Sequence, residues 1–335
     1  MKKQNVTIYD VAREAGVSMA TVSRVVNGNM NVKPATREKV MEVIKRLDYH
    51  PNAVARGLAS KRTRSVGVLI PDIMNAYYAG LAQGINDIAA MYKYNIVLST
   101  SEANEDSTRG VVSSILSRQV DGLIFVGHVL PERVAEEVKR SRTPMVLADD
   151  SDPSGAFPIV AIDNEVAFTE AVEHLIGEGR KRIAFVGMKE QMADDSNPRY
   201  AGYLKALANH QMSADDALTY VAERLNYDNG YEIGHTLLEN KIDAAVVVDD
   251  ELAIGILNAL KDHDVKVPDD FSLITANNTK LVNMSRPEIS SIEPPIYDIG
   301  AVAMRVLTKL MDNDEGQTET VTLPYRMIYR ETTKD

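Results

Sequence analysis

TIYDVAREAGVSMATVSRVVN, running from Thr7 to Asn27, reads as two short helices joined by a tight turn. Thr7 is placed to cap the first helix, with Asp10 three residues on as in a capping box. Ile8, Val11, Ala12 and Ala15 recur at helical spacing and give that helix an inward stripe. Gly16 ends it, because glycine accepts the positive φ of an abrupt helix stop. Ser18 is a natural cap for the second helix, and Val22, Val25 and Val26 give it a buried face. Met19, Ala20, Thr21, Ser23, Arg24 and Asn27 remain for its outer side or borders. In a helix-turn-helix, such residues on the second helix reach base edges in the major groove.

A third helix is expected from about Pro34, since proline suits a first helical turn, with Val40, Val43, Ile44 and Leu47 as its core stripe. YHPNAVARGLASKR (Tyr49–Arg62) follows. Pro51 breaks the chain, Asn52 is a candidate cap, and 53–59 suits a helix too short to be stable alone. Its one bulky apolar residue, Leu58, stands near Ala55, Arg56, Lys61 and Arg62. A weak basic helix with a protruding leucine suits folding on DNA and wedging between base pairs from the minor groove.

The charge distribution agrees. The formal net charge is −11, yet residues 1–64 hold 13 Lys and Arg against 5 Asp and Glu, and the remainder holds 24 against 43. Phosphate binding needs local, not global, positive charge. A chain of 335 residues, 44% hydrophobic, suggests two or three domains. The absence of cysteine excludes disulfides, thiolate zinc sites and cysteine nucleophiles. MKKQNVT lacks a signal-peptide apolar stretch, and a cytoplasmic location is expected.

From Ser65 short apolar runs alternate with helical stretches. Strands are expected at Val66–Ile70, Ile96–Ser99, Gly122–Val126, Met145–Leu147 and Val160–Ile162, with helices at Ala79–Met91 and Ser107–Ser117 between them. The programme restarts at RIAFVG (Arg182–Gly187) and continues through Ala244–Val248 and Phe271–Thr275. Continuous apolar strands alternating with helices imply parallel sheets covered on both faces. Two such lobes usually enclose a ligand cleft at the carboxyl ends of their strands. The expected fold is thus α/β, a helix-turn-helix headpiece followed by two doubly wound parallel-sheet lobes.

TIYDVAREAGVSMATVSRVVNG and YHPNAVARGLASKRTRSVGVLIPD resemble the start of the LacI/GalR family of bacterial repressors, and the resemblance covers essentially the whole chain. MYKYNIVLS (Met91–Ser99), RQVDGLIF (Arg118–Phe125) and YDIGAVAMRVLTKLM (Tyr297–Met311) are closest to its carbon-catabolite-control members. The resemblance implies a core of periplasmic-binding-protein type whose chain crosses between lobes three times, near Asp163, Ile292 and Leu323. The expected domains are a headpiece at 1–50, a hinge at 51–64, one lobe from 65–163 with 293–322, and a second from 164–292 with 323–335.

The family likeness also implies site residues. DNA contacts are expected from Thr7, Ser18, Met19, Ala20, Thr21, Ser23, Arg24, Asn27, Asn52, Ala55, Arg56 and Leu58. Arg199 in NPRYAGY and Asp250 in VDDELAIG match positions that hold a sugar ligand. A guanidinium forks onto hydroxyls or phosphates, and a carboxylate accepts sugar hydroxyls. The family commonly has an aspartate where LITANNTKL has Asn277. The lost carboxylate weakens the case for a free-sugar inducer and leaves room for a sugar phosphate, or for an adjunct ligand only.

On Tyr297–Met311, Ile299, Ala303, Val306, Leu307 and Leu310 form the expected buried face. Tyr297, Ala301, Arg305 and Lys309 form a row four apart on the other side. In the catabolite-control members this helix binds the phosphocarrier protein HPr when HPr is phosphorylated on a serine. The likeness implies Arg305 and Lys309 at the phosphate, with Tyr297, Asp298, Ala301, Asp72 and Arg326 around them.

The expected function is a dimeric regulator that binds a pseudo-palindromic operator, activated by serine-phosphorylated HPr and open to modulation by a sugar phosphate. The alternative within the family is a single-operon repressor controlled by a small sugar. A sugar-binding or sugar-transforming protein would call for an export signal or catalytic residues. The six scattered histidines have no metal-ligand spacing, and there is no Walker loop or nucleophile elbow. No enzymatic activity, cofactor, metal or membrane association is expected.

Overall fold

The computed structural model describes residues 6–26, 28–29, 31–49, 62–101, 104–127, 130–149, 152, 155–189, 197–213, 218–312 and 320–334. Two compact units result, Met1–Thr63 and Arg64–Asp335.

The first unit holds α1 (Ile8–Ala15), α2 (Met19–Val26) and α3 (Pro34–Leu47). Asp10 accepts hydrogen bonds from the Thr7 backbone N–H at 3.0 Å and from its hydroxyl at 2.7 Å, closing the entry to α1. Gly16 ends that helix at φ 62°, and the Val17 N–H reaches back to the Ala12 carbonyl at 3.0 Å. A side chain at Gly16 would strain this left-handed position by about 1–2 kcal/mol. The Ser18 hydroxyl accepts from the Thr21 N–H at 3.2 Å and starts α2. Val11, Ala15, Val22 and Val40 are fully buried where the three helices meet. Each buried valine contributes roughly 1.5–3 kcal/mol, and such a small core has little to spare. Val26, Ile8, Ile44 and Leu47 pack at its edge and are only half buried. Asn52, Ala55, Arg56 and Leu58, expected in the hinge, and Asn27, expected at the border of the second helix, lie outside the described residues.

Among the described residues, the second unit contains two six-stranded sheets. The first lobe orders its strands β11-β5-β4-β3-β1-β2, with β1 Ser65–Ile70, β2 Asn95–Thr100, β3 Gly122–Val126, β4 Met145–Ala148, β5 Ile159–Ile162 and β11 Val321–Leu323. The second orders β12-β10-β9-β8-β6-β7, with β6 Ile183–Met188, β7 Thr219–Ala222, β8 Ala244–Val247, β9 Ser272–Ala276, β10 Ser290–Glu293 and β12 Arg326–Ile328. All pairings are parallel except β10 with β12. The chain passes between sheets after β5, after β10 and between β11 and β12. The central strands β3, β4, β6, β8 and β9 are buried along their whole length, which explains their unbroken apolar sequence.

In the first lobe α4 (Ala76–Met91) and α12 (Ile296–Met311) pack together, and α5 (Glu105–Ser117) and α6 (Glu132–Ser141) line another layer. In the second lobe α7 (Asn164–Gly177) packs on α8 (Pro198–Asn209), and α9 (Tyr227–Glu239) on α10 (Asp250–Asp262). The short α11 (Lys280–Met284) follows β9. α4 and α5 begin earlier than apolar spacing predicts, because Asn75 and Asn104 cap them through the amides of Tyr77 and Ser107.

Candidate functional site

Three places gather the residues singled out by sequence, and each follows from local chain geometry. On α2, Met19, Ala20 and Arg24 are exposed, while Thr21 and Ser23 are half-buried. The hydroxyls of Ser18 and Thr21 lie 3.0 Å apart, so this end of the helix carries a preset hydrogen-bonding pair. Thr7 is exposed, but its hydroxyl already donates to Asp10.

The second place is α12. Tyr297 is 45% exposed and donates to Asp87 of α4 at 3.2 Å. Asp298, Arg305 and Lys309 are exposed, and among the described residues neither Arg305 nor Lys309 forms an ion pair. Ala301 departs from the expected row, being only 4% exposed. The cause is the glycine contact between α4 and α12. A Cβ on Gly84 would stand 2.1 Å from the Tyr297 carbonyl oxygen and 3.0 Å from the Ala301 nitrogen. A Cβ on Gly300 would stand 2.1 Å from the Leu81 carbonyl oxygen. The helix backbones therefore approach closely and cover Ala301. Val306 and Leu310, expected in the buried face, are half-buried, and Met304 and Thr308 are buried instead. Arg326 is exposed on β12, in the other lobe's sheet.

The third place is the cleft at the carboxyl ends of the strands, where a doubly wound fold binds ligands. Arg199, in the first turn of α8, has a side chain only 14% exposed. Its Nη2 donates to Asp149 at 2.8 Å, its Nη1 reaches the Val248 carbonyl at 3.4 Å, and its guanidinium lies 5.8 Å from the Phe168 ring centre. Asp149 follows β4 of the first lobe at a left-handed φ of 53°, which aspartate tolerates better than most residues. Its carboxylate also accepts from the Tyr77 hydroxyl and, at 3.2 Å, from the Asn164 amide. Burial lowers the Arg199 pKa, but Asp149 and the neighbouring phenols outweigh it and hold the guanidinium charged. Burial first, and then Asp149, push the Tyr77 hydroxyl well above the usual range, so it stays a donor.

A second bridge crosses the same cleft. The Asn75 amide of the first lobe donates at 2.8 Å to Asp249 of the second. Asp249 also accepts from the Glu251 and Leu252 amides at the start of α10. Asp250, the residue chosen from sequence, faces inward. It is 2% exposed, accepts from the Thr275 hydroxyl at 3.0 Å and the Thr279 N–H at 2.6 Å, and so fastens its own lobe. Burial, with Asp249 beside it, raises its pKa to about 7. Asn277 is 3% exposed at φ 144°, and its N–H donates to the Ile292 carbonyl at 3.0 Å. Its side-chain oxygen is buried with no hydrogen-bond partner among the described residues.

Beyond these bridges the cleft widens into a cavity of about 790 Å³. Asp72, Tyr78, Ser101 and Asn104 line one side, and Lys189, Arg224 and Asn226 line the other. The size suits a small ligand. Asp149, Asn75 and Asp249 were not among the residues picked from sequence. Each directly or closely follows an apolar strand, and that position was the available signal.

Comparison with known proteins places this geometry. The family of bacterial regulatory proteins, lacI family, matches residues 7–52, and the periplasmic binding protein-like domain matches residues 172–333. Catabolite control protein A of Priestia megaterium is 49% identical, over 98% of this chain and 100% of its own length. The HTH-type transcriptional regulator pepR1 of Lactobacillus delbrueckii subsp. lactis is 44% identical, over 99% of each. The solved structure of a lac repressor dimer bound to operator and the anti-inducer ONPF is 26% identical, with a TM-score of 0.87 over 98% of this chain and 99% of that one. The chain belongs to the LacI family of bacterial transcriptional regulators and is homologous to catabolite control protein A.

Proposed function

We propose that the protein is a dimeric, cytoplasmic regulator of carbon catabolite genes whose operator binding is raised by serine-phosphorylated HPr. The observation that carries this reading is the pair Arg305 and Lys309, exposed on α12 and without ion-pair partners among the described residues. Residues one turn apart lie on one face and reach a single phosphate together. A phosphoserine brings about −1.5 to −2 charge at pH 7. The net-acidic remainder of the chain repels anions elsewhere, which sharpens the contrast between modified and unmodified HPr. Tyr297 and Asp298 flank the pair on the same helix, and Asp72 and Arg326 are outlying contributors.

On the DNA side, α2 enters the major groove through Ser18 to Arg24, with the hinge folding over the minor groove as two copies meet. The corepressor lowers the ordering cost of that hinge, a coupling of about 1–3 kcal/mol. A sugar phosphate is the proposed ligand of the cleft, near Arg199 and Asn277 and beside the cations Lys189 and Arg224 of the cavity wall. Fluorescence anisotropy on a pseudo-palindromic operator tests the reading. Serine-phosphorylated HPr is expected to tighten binding, with no effect from unmodified HPr. Equal curves with both forms would overturn it.

A further inference from the structure

The groove between α5 and α6 of the first lobe shares no lining residue with the cleft cavity or with the row on α12. Val112, Val134 and Val138 are fully buried beneath it and hold the two helices together. Above this apolar seam the helices face each other in charged rungs. Arg133 stands 3.6 Å from Glu105, and Arg109 stands 3.5 Å from Glu137. Residues four apart on each helix supply successive rungs, one turn per step. The next rung breaks the series. α5 offers Ser113 where an acid would continue it, and the Ser113 hydroxyl donates to Glu137. On α6 the exposed Arg140 donates through Nε to the Glu136 carbonyl at 3.2 Å, and it has no carboxylate partner among the described residues.

Arg109, Ser113, Arg133, Glu137 and Arg140 line a cavity of about 450 Å³. Three guanidiniums meet one carboxylate there, and adding Glu105 still leaves the cations in excess. Neither ion pair reaches the roughly 2.7–2.9 Å of a charge-assisted hydrogen bond, so Arg109 and Arg133 keep donors for a further anion. This local excess stands within residues 65–335, where 24 Lys and Arg face 43 Asp and Glu. Guanidinium forks match the oxygens of a phosphate group. No aromatic side chain lines the cavity, so nothing there stacks on a nucleotide base.

We propose that the α5–α6 groove is a separate anion site for a small, non-aromatic compound carrying a phosphate or diphosphate group. Arg140 takes the phosphate oxygens together with the remaining donors of Arg109 and Arg133, and Ser113 turns its hydroxyl from Glu137 to the ligand. Glu137 opposes the ligand's charge and limits its affinity. A bound anion completes the interrupted series of rungs and braces α5 against α6. The site uses neither the cleft nor α12, so it stands apart from the proposed function.

Isothermal calorimetry of the full-length protein with inorganic pyrophosphate tests the site. Saturable binding is expected, and Arg140→Gln is expected to weaken it about tenfold or more. Glu137→Gln keeps an acceptor for Ser113 but removes the cavity's own anion, and it is expected to tighten binding roughly two- to fivefold. A purely structural row of ion pairs would give no such gain. Arg305→Ala on α12 and Arg224→Gln in the cleft wall are expected to bind pyrophosphate as the native protein does. A native far-UV circular dichroism spectrum excludes misfolding in each variant. No saturable binding at millimolar pyrophosphate, binding unchanged in Arg140→Gln, or weaker binding in Glu137→Gln overturns the proposal. So does a loss confined to Arg305→Ala or Arg224→Gln, which would place the anion on α12 or in the cleft.

Discussion

Arg199 and Arg305 are both candidate anion receptors, and their surroundings are opposite. Arg199 is buried in the cleft, held between Asp149, a backbone carbonyl and a phenyl ring. Arg305 stands exposed on α12 with Lys309 one turn away and no ion-pair partner among the described residues. The contrast separates two uses of one residue type. A buried arginine must be neutralised inside the fold, since an unpaired charge there costs several kcal/mol. An exposed one remains hydrated and loses little by waiting for a partner. The charge of Arg199 is therefore met inside the fold, and the charges of Arg305 and Lys309 are met by solvent.

Truncating the buried partner is the strongest way to break the contrast. Arg199→Ala is expected to destabilise the core by about 3–5 kcal/mol in urea denaturation, because Asp149 is left buried without its cation. A loss under 1 kcal/mol would mean that water already neutralises the site.

The next effect is on pH dependence. Asp250 has its pKa raised to about 7 by burial and by Asp249. Between the ordinary carboxylate range and pH 7 the folded protein keeps a proton that the unfolded chain has lost. Stability therefore falls as pH rises through that window, by on the order of a few kcal/mol. Asp250→Asn, neutral throughout, is expected to flatten the decline measured by urea midpoints from pH 5 to pH 8. An unchanged slope would assign it to other groups.

Smaller again is the exposed cation of the headpiece. Arg24→Ala is expected to weaken operator binding by about 1–3 kcal/mol per half-site and to relax preference at one base pair. Uniform weakening on all sequences would mark a phosphate contact instead. The smallest effect is on the stability of Arg305→Ala, expected within about 0.5 kcal/mol of the native protein. A larger loss would show that α12 needs this residue for folding.

Much of this was legible in the sequence where the determinants are local. Thr7, Gly16 and Ser18 mark helix ends through their own backbone and side-chain chemistry, and the structure uses all three there. The central strands announce themselves as unbroken apolar runs because both faces are covered. Sheet membership of β11 and β12 has no such signature, since three-residue strands are too short for periodicity to register. The cleft was harder still. Of the adjacent pair Asp249 and Asp250, spacing gives no reason to choose the first. The choice is made by Thr275, Thr279 and Asn75, which lie far away in sequence. Ala301 escaped for a similar reason, because two glycines on facing helices bury a position that a single helical row leaves outside.

Calorimetry with serine-phosphorylated and unmodified HPr, on the native protein, Arg305→Ala and Arg199→Ala, tests the contrast most directly. The expected result is that the preference for phosphorylated HPr disappears in Arg305→Ala and survives in Arg199→Ala. Survival in Arg305→Ala, with loss in Arg199→Ala, would contradict it and place phosphate reading in the cleft.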